Sequence, residues 1–251
     1  MQIKTAVQQV IESGVKPIVL DMQRVIDFSG EIKGVRTSLV VKSLSLGTLT
    51  ANEYRYVARR TVQGSKLVER NVEKLFCFYD EIKAENAGAE FYSISVYARS
   101  LLDGQLYGVL TEYFKKYPNV EPEKICIELS ADILFEDITE YKKQIETIKQ
   151  LGVKIALCEV GDEFCPFYRI SEINADVVFL DGYTISCLND EKKELQVLGA
   201  MNIITACPIQ VYGSCIKQEE LPLIERLGVD GYTLKEDDAL VEDVWRVCGR
   251  Y

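Results

Sequence analysis

The stretch 121–181 constrains the fold more than any other part of this chain. It reads EPEKICIELSADILFEDITEYKKQIETIKQLGVKIALCEVGDEFCPFYRISEINADVVFLD. Two apolar strands, 124–130 and 153–160, flank an amphipathic helix over 137–151, and a third short strand follows at 177–181. The second strand is apolar almost throughout, as a strand covered on both faces should be. Each strand ends in polar or small residues: Glu128 and Ser130, then Cys158 and Glu159, then Asp181. In a parallel α/β barrel, chemistry sits at these C-terminal strand ends.

The rest of the chain supplies elements to match. A helix is predicted over 3–12, with Ile3, Val7, Val10 and Ile11 on one face. Strands follow at 16–21 and 35–42, around a turn at Ser29 and Gly30. A helix over 50–60 has Thr50 as N-cap and Glu53 at the capping-box distance. Helices over 65–87 and 101–116 enclose a strand at 90–96. A short helix is predicted over 164–173, a helix over 218–227, a last strand over 229–233 and a closing helix over 239–247. The stretch 192–207 is ambiguous, because its second half, MNIITA, is β-branched. Val19, Val35, Ile94, Val96, Ile125, Ile127, Ile155, Leu157, Val178 and Val211 form the predicted core. The 251 residues suffice for one (β/α)8 barrel, and a single domain over 1–251 is expected.

Short motifs tie this pattern to a family. VKPIVLD opens the first strand, then come GEIKGVRTSLV at 30–40 and GTLTANEYRYVAR at 47–59. Further on stand SVYAR, ELSA, CEVGDE, FLD and YGSCI. In spacing this resembles the EAL-domain cyclic-di-GMP phosphodiesterases, whose motifs run YQPIVD, GxIxGxEALxR, GLIxPxEFIxxAE, SVNLS, ExTE, DDFGTG, KID and AEGVE. The resemblance covers nearly the whole chain. It implies an α/β fold, a modified TIM (β/α)8 barrel with an antiparallel first strand. It also makes 192–207 a helix and 209–212 the strand after it.

The family's chemistry, as the resemblance implies it, uses one or two divalent cations on hard oxygen ligands to activate a water. Here the functional letters differ. The glutamate of the EAL triplet falls on Arg36, which cannot ligate a cation and repels it. The asparagine falls on Tyr97, and the first aspartate of the DD pair on Cys158, a soft ligand ill suited to magnesium. The lysine that steadies the water falls on Phe179, the glutamate of AEGVE on Gly213, and the closing glutamine on Thr233. The arginine that helps hold the dinucleotide falls on Val40. Glu128 is unchanged, Glu159 keeps a carboxylate, and Asp181 matches the aspartate of KID. Glu128 is expected to pair with a nearby cation, Arg36 or Arg99, because buried charges persist mainly when paired.

No catalytic residue, metal or cofactor is therefore expected, and the chain reads as a catalytically inactive EAL-like barrel acting as a protein-interaction or regulatory module in signalling. Two alternatives stand beside it. One is a sensor of another small anion or nucleotide, with Arg36, Tyr97, Arg99, Glu128 and Tyr212 at the mouth. The other is a weak cyclic-di-GMP phosphodiesterase. The partner expected is an unidentified protein, without cyclic-di-GMP. A net charge of −10 argues against nucleic acid and anionic membranes. Family barrels often dimerise through the segment after DDFG; here that segment is GDEFCPFYRI, so a homodimer stays open. Eight cysteines without a CxxC pair fit a reduced, cytoplasmic setting. Cys158 and Cys215 fall near neighbouring mouths, where a soft-metal or redox site is conceivable. The absence of histidine removes the usual general base and zinc ligand.

Overall fold

A computed structural model describes residues 5, 8, 18–43, 46–61, 63–161, 165–235 and 244–247. The elements run β1 (Ile18–Ile26), β2 (Ile32–Ser43), β3 (Gly47–Leu49), α1 (Ala51–Ala58), α2 (Gln63–Cys77), α3 (Tyr79–Glu85), β4 (Phe91–Val96), α4 (Ala98–Leu102) and α5 (Gln105–Lys116). They continue with β5 (Ile125–Ser130), α6 (Ile138–Lys149), β6 (Lys154–Val160), α7 (Ile170–Ile173), β7 (Val177–Leu180), α8 (Gly182–Ser186), α9 (Glu191–Thr205), β8 (Gln210–Ile216), α10 (Leu221–Leu227), β9 (Gly231–Leu234) and β10 (Val244–Val247).

Strands β2, β4, β5, β6, β7, β8 and β9 pair in parallel in that order. β1 closes the ring, antiparallel to β2 along its length and to β9 at Ile26 opposite Tyr232. The result is an eight-stranded barrel with one antiparallel stave. β3 folds back on the end of β2, and β10 lies antiparallel along β1 at Leu20 to Gln23. All ten predicted core residues are buried.

Inside the barrel, Val25, Phe91, Cys126, Ala156, Val177, Phe179 and Tyr212 form a plug. The rings of Phe91, Phe179 and Tyr212 lie 5.7–6.2 Å apart, centre to centre. The helices cover the outside through one larger apolar cluster. The plug decides where polar groups can sit, because it fills the lumen below the C-terminal strand ends.

Several predicted elements differ from the structure for local reasons. The helix over 65–87 is two helices, α2 and α3, broken at Phe78. The helix over 101–116 divides into α4 and α5 at Gly104, whose φ of 68° is left-handed. The first strand runs on to Ile26 because the whole of 18–26 pairs with β2. The segment over 164–173 is a 3-10 turn, Phe167–Arg169, followed by the single turn α7. The stretch 191–205 is helix despite its β-branched end, capped by the Asp190 carboxylate on the Lys192 and Lys193 amides. The closing helix over 239–247 is overturned at its end, where β10 pairs with β1; residues 239–243 lie outside the described residues. So does most of the N-terminal helix over 3–12. Among the described residues no helix is long and apolar enough to cross a membrane.

Candidate functional site

The C-terminal ends of β2, β4, β5, β6 and β8 open into a cavity of about 440 Å³. Its walls include Arg36, Tyr97, Glu128, Cys158, Glu159 and Asp181, six of the ten positions that the sequence singled out. The other four lie beside it or beneath it. Phe179 belongs to the plug. Val40 is buried in β2. Thr233 is fully buried, and its Oγ1 accepts from the Cys215 amide at 3.0 Å. Gly213 is buried where a Cβ would press within 3.0 Å of the Ile216 side chain.

Arg36 and Glu128 form the floor of the cavity. Both side chains are largely buried, 16 % and 4 % exposed. Arg36 Nε donates to Glu128 Oε2 at 3.0 Å and Nη2 donates to Oε1 at 2.5 Å. This fork on a carboxylate is the geometry a guanidinium provides and an ammonium does not. Arg36 Nη1 donates to Ser214 Oγ at 2.8 Å, and Ser93 Oγ donates to Glu128 Oε2 at 2.9 Å. The guanidinium lies over the Phe179 ring, 4.2 Å from its centre, a cation–π contact. Burial works against the Arg36 charge, but Glu128 beside it more than compensates and holds its pKa above the usual arginine value. The expectation that Glu128 pairs with Arg36 matches this geometry. Arg99 does not share it: it is exposed and donates to the Arg60 carbonyl at 3.4 Å. Tyr212 is likewise not at the mouth but in the plug.

A second ion cluster forms one wall. Glu159 ends β6 with a left-handed φ of 60°, a strained conformation for a non-glycine residue. Its carboxylate accepts from Arg55 and Arg59, which come from α1 and its C-cap, and from Ser130 Oγ at 2.6 Å. Arg59 also pairs with Asp132 at 3.3 Å. Burial alone would raise the Glu159 pKa; the Ser130 hydrogen bond and the two guanidinium groups overcome it and hold the carboxyl below its ordinary value. Ser130 was among the polar strand ends that the sequence marked; Arg55, Arg59, Ser93 and Ser214 were not singled out. The signal for Arg59 was present, because GTLTANEYRYVAR places an arginine where GLIxPxEFIxxAE ends in glutamate. Ser93 and Ser214 carry no comparable mark.

The remaining groups are neutral or structural. Asp181 caps α8, its Oδ1 accepting from the Tyr183 amide at 2.7 Å. Tyr97 opens α4, and burial pushes its phenol up to about 12. Burial, then Glu128, pushes the Cys158 thiol well up, which makes it a poor thiolate. Cys158 and Cys215 sit on β6 and β8 with β7 between them. Neighbouring strands are about 4.8 Å apart, so the two lie beyond the ~4.4–6.8 Å Cα separation of a disulfide. The described cysteines are all free. Among the described residues, no group of three or more Cys, Asp or Glu is placed to hold a metal ion. The donor set does not fit the divalent cation that the family resemblance implies, since the carboxylate of Glu128 is already occupied by a guanidinium.

A barrel with one antiparallel stave and acidic residues at its mouth defines a class, and comparison with known proteins places this chain in it. The family model described as the EAL domain matches residues 15–233; the chain belongs to the EAL-domain family. It is 20% identical over 156 residues to the "Probable cyclic di-GMP phosphodiesterase PdeA" of Escherichia coli (strain K12), covering 60% of this chain and 21% of that protein. It is 19% identical over 170 residues to the "Cyclic di-GMP phosphodiesterase PdeF" of the same organism, covering 64% and 23%. The chain thus spans about a fifth of the length of these curated relatives. Among solved structures, the EAL enzyme Bd1971 with cAMP and cyclic-di-GMP bound superposes with a TM-score of 0.79 at 16% identity, over 93% of this chain and 64% of that one. The FimX EAL domain from Pseudomonas aeruginosa, bound to cyclic-di-GMP, gives 0.75 at 16%, over 93% and 94%. At these identities the likeness to the solved structures is one of fold.

Proposed function

We propose that this chain is a non-catalytic EAL domain, a protein-interaction or regulatory module in signalling that neither hydrolyses nor tightly binds cyclic-di-GMP. The observation that carries the reading is the guanidinium of Arg36 forked onto Glu128. A divalent cation brought to Glu128 would have to displace a buried arginine and then share the mouth with its charge. It would find a phenol at Tyr97 and a high-pKa thiol at Cys158 in place of hard oxygens. The dinucleotide would also lack the arginine whose place Val40 takes. Calorimetry and a hydrolysis assay with cyclic-di-GMP, each with magnesium or manganese, test this. No heat of binding and no product are expected; micromolar binding or turnover would overturn the proposal.

A second reading, a sensor of a different small anion or nucleotide, draws on the cavity itself. Its volume of about 440 Å³ falls within the roughly 300–1,000 Å³ of small-molecule sites. Saturable calorimetric binding of a mononucleotide or inorganic phosphate, abolished by Arg36→Ala, would favour it over the first.

A further inference from the structure

Helix α1 and the residues just after it turn one stripe outward. Asn52, Arg55, Tyr56 and Arg60 follow one another at helical spacing, and all four are exposed. Asn52 and Arg55 also line the cavity, as does Ser38 of β2, so the stripe runs from the cavity wall to the outer rim. Arg99 of α4 reaches the same end of the helix, where it donates to the Arg60 carbonyl. The carboxylates of this region are already engaged. Glu53 accepts from the Thr50 amide and hydroxyl. Glu159 accepts from Arg55, Arg59 and Ser130, and Asp132 pairs with Arg59. The donors are not used up. A guanidinium carries five N–H groups, yet Arg55 spends only Nη1 on Glu159, and Arg60 spends Nη1 on the Tyr56 hydroxyl at 2.6 Å. Among the described residues, neither Arg60 nor Arg99 has an ion-pair partner, and nothing bonds the Asn52 amide or the Ser38 hydroxyl. The Arg60 guanidinium also lies over the Tyr56 ring, 4.2 Å from its centre, so it is held in place before any ligand arrives.

We propose that this rim docks a short acidic segment of a partner protein, whose carboxylates bind Arg55, Arg60 and Arg99. The proposal rests on the reading of the chain as a protein-interaction module and names the chemistry of its partner. Charge complementarity selects the occupant: a carboxylate takes two parallel N–H bonds from a guanidinium, and the donors left over here are guanidinium edges, an amide and a hydroxyl. The 8 residues of α1 make a helix about 12 Å long, which about four residues of extended chain span. The charge of the whole chain sets the same limit. At −10 it repels a polyanion that runs past the rim, which selects a short run of carboxylates over a nucleic-acid backbone. A single inorganic phosphate fits one guanidinium but does not use the row.

Fluorescence anisotropy with the full chain tests the proposal. The probe is a fluorescein-labelled peptide of four glutamates between two glycines, and its control carries glutamines in their place. Saturable binding of the glutamate peptide and none of the glutamine peptide are expected. Arg60→Ala with Arg99→Ala should weaken binding at least fivefold, with an unchanged circular-dichroism spectrum. Lys142→Ala with Lys143→Ala removes the same charge from α6 and should leave binding as it was. Absence of saturable binding overturns the proposal, as does equal binding of the two peptides. So does a lysine variant that weakens binding as much as the arginine variant, because the attraction would then be general. Inorganic phosphate that displaces the peptide at equal concentration would make this a small-anion site and also overturns it. Should the double arginine variant fail to fold, Arg60→Ala and Arg99→Ala singly decide. Turnover of cyclic-di-GMP would sink the non-catalytic reading without touching peptide binding, whereas absence of both turnover and peptide binding would sink this surface alone.

Discussion

Arg36 and Glu128 hold opposite charges where water reaches neither well, so removing one partner is not the reverse of adding the pair. Arg36→Ala strands the Glu128 carboxylate among Ser93, Phe179 and the lumen plug, and should destabilise the fold by about 1–3 kcal/mol. Arg36→Ala with Glu128→Ala removes the stranded charge as well and should cost less than the sum of the single variants. Urea unfolding of the four proteins of this cycle measures the coupling; additive costs would mean that the fork contributes nothing specific. Glu159 gives a prediction in pH. Its pKa is lowered in the folded chain by Ser130, Arg59 and Arg55. Its contribution to stability is therefore full above the ordinary carboxylate value and fades as pH falls through the depressed one. Glu159→Gln should be less stable than the parent at neutral pH, with the gap closing in acid below about pH 4. Urea midpoints across pH report this, and a gap independent of pH would show that the charge is not the cause.

At the scale of elements, closure of the barrel depends on β1 meeting β9, at Ile26 opposite Tyr232. Gly231, next to that pair, lies so close to the Ile26 carbonyl that a Cβ would collide with backbone atoms. Backbone cannot swing aside as a flexible side chain can, so Gly231→Ala should cost about 1–3 kcal/mol as overpacking. It should lower the urea midpoint without changing activity-independent readouts such as the helical circular-dichroism signal of the remaining folded fraction. The strands of the barrel were legible because their apolar runs are short, regularly spaced and bounded by polar ends; β5, β6 and β7 fall within a residue or so of their predicted limits. The Thr50 and Glu53 capping box was also legible, since it is local: the Thr50 amide donates to Glu53 Oε2 at 2.7 Å. Breaks inside helices were not. Phe78 and Gly104 interrupt apolar periodicity without ending it, so a pattern count runs straight across them. At the site, the position of Arg36 opposite Glu128 followed from family spacing. The clamp of Arg55 and Arg59 on Glu159 did not, because it joins α1 to β6 across 104 and 100 residues. The lumen plug likewise required the closed ring, which alone sets Tyr212 beneath the mouth rather than in it.

Over the whole molecule the net charge is −10, and this makes association with a charged partner depend on salt. Two copies of so acidic a chain would bring like net charges together. Exposed charges farther apart than a Debye length are screened, and that length falls from about 30 Å at 0.01 M to about 10 Å at 0.1 M ionic strength. Raising salt from 0.01 to about 0.15 M should therefore weaken the repulsion between copies. A protein partner that meets this acidic chain through a basic patch would behave the opposite way, its association slowing and weakening as the steering field is screened. Sedimentation velocity of the pure chain at several salt concentrations reads the first effect. Salt-graded binding to a cationic partner reads the second. Binding to a cationic partner that stays constant as salt rises would show that the net charge is not what draws the partner to this chain.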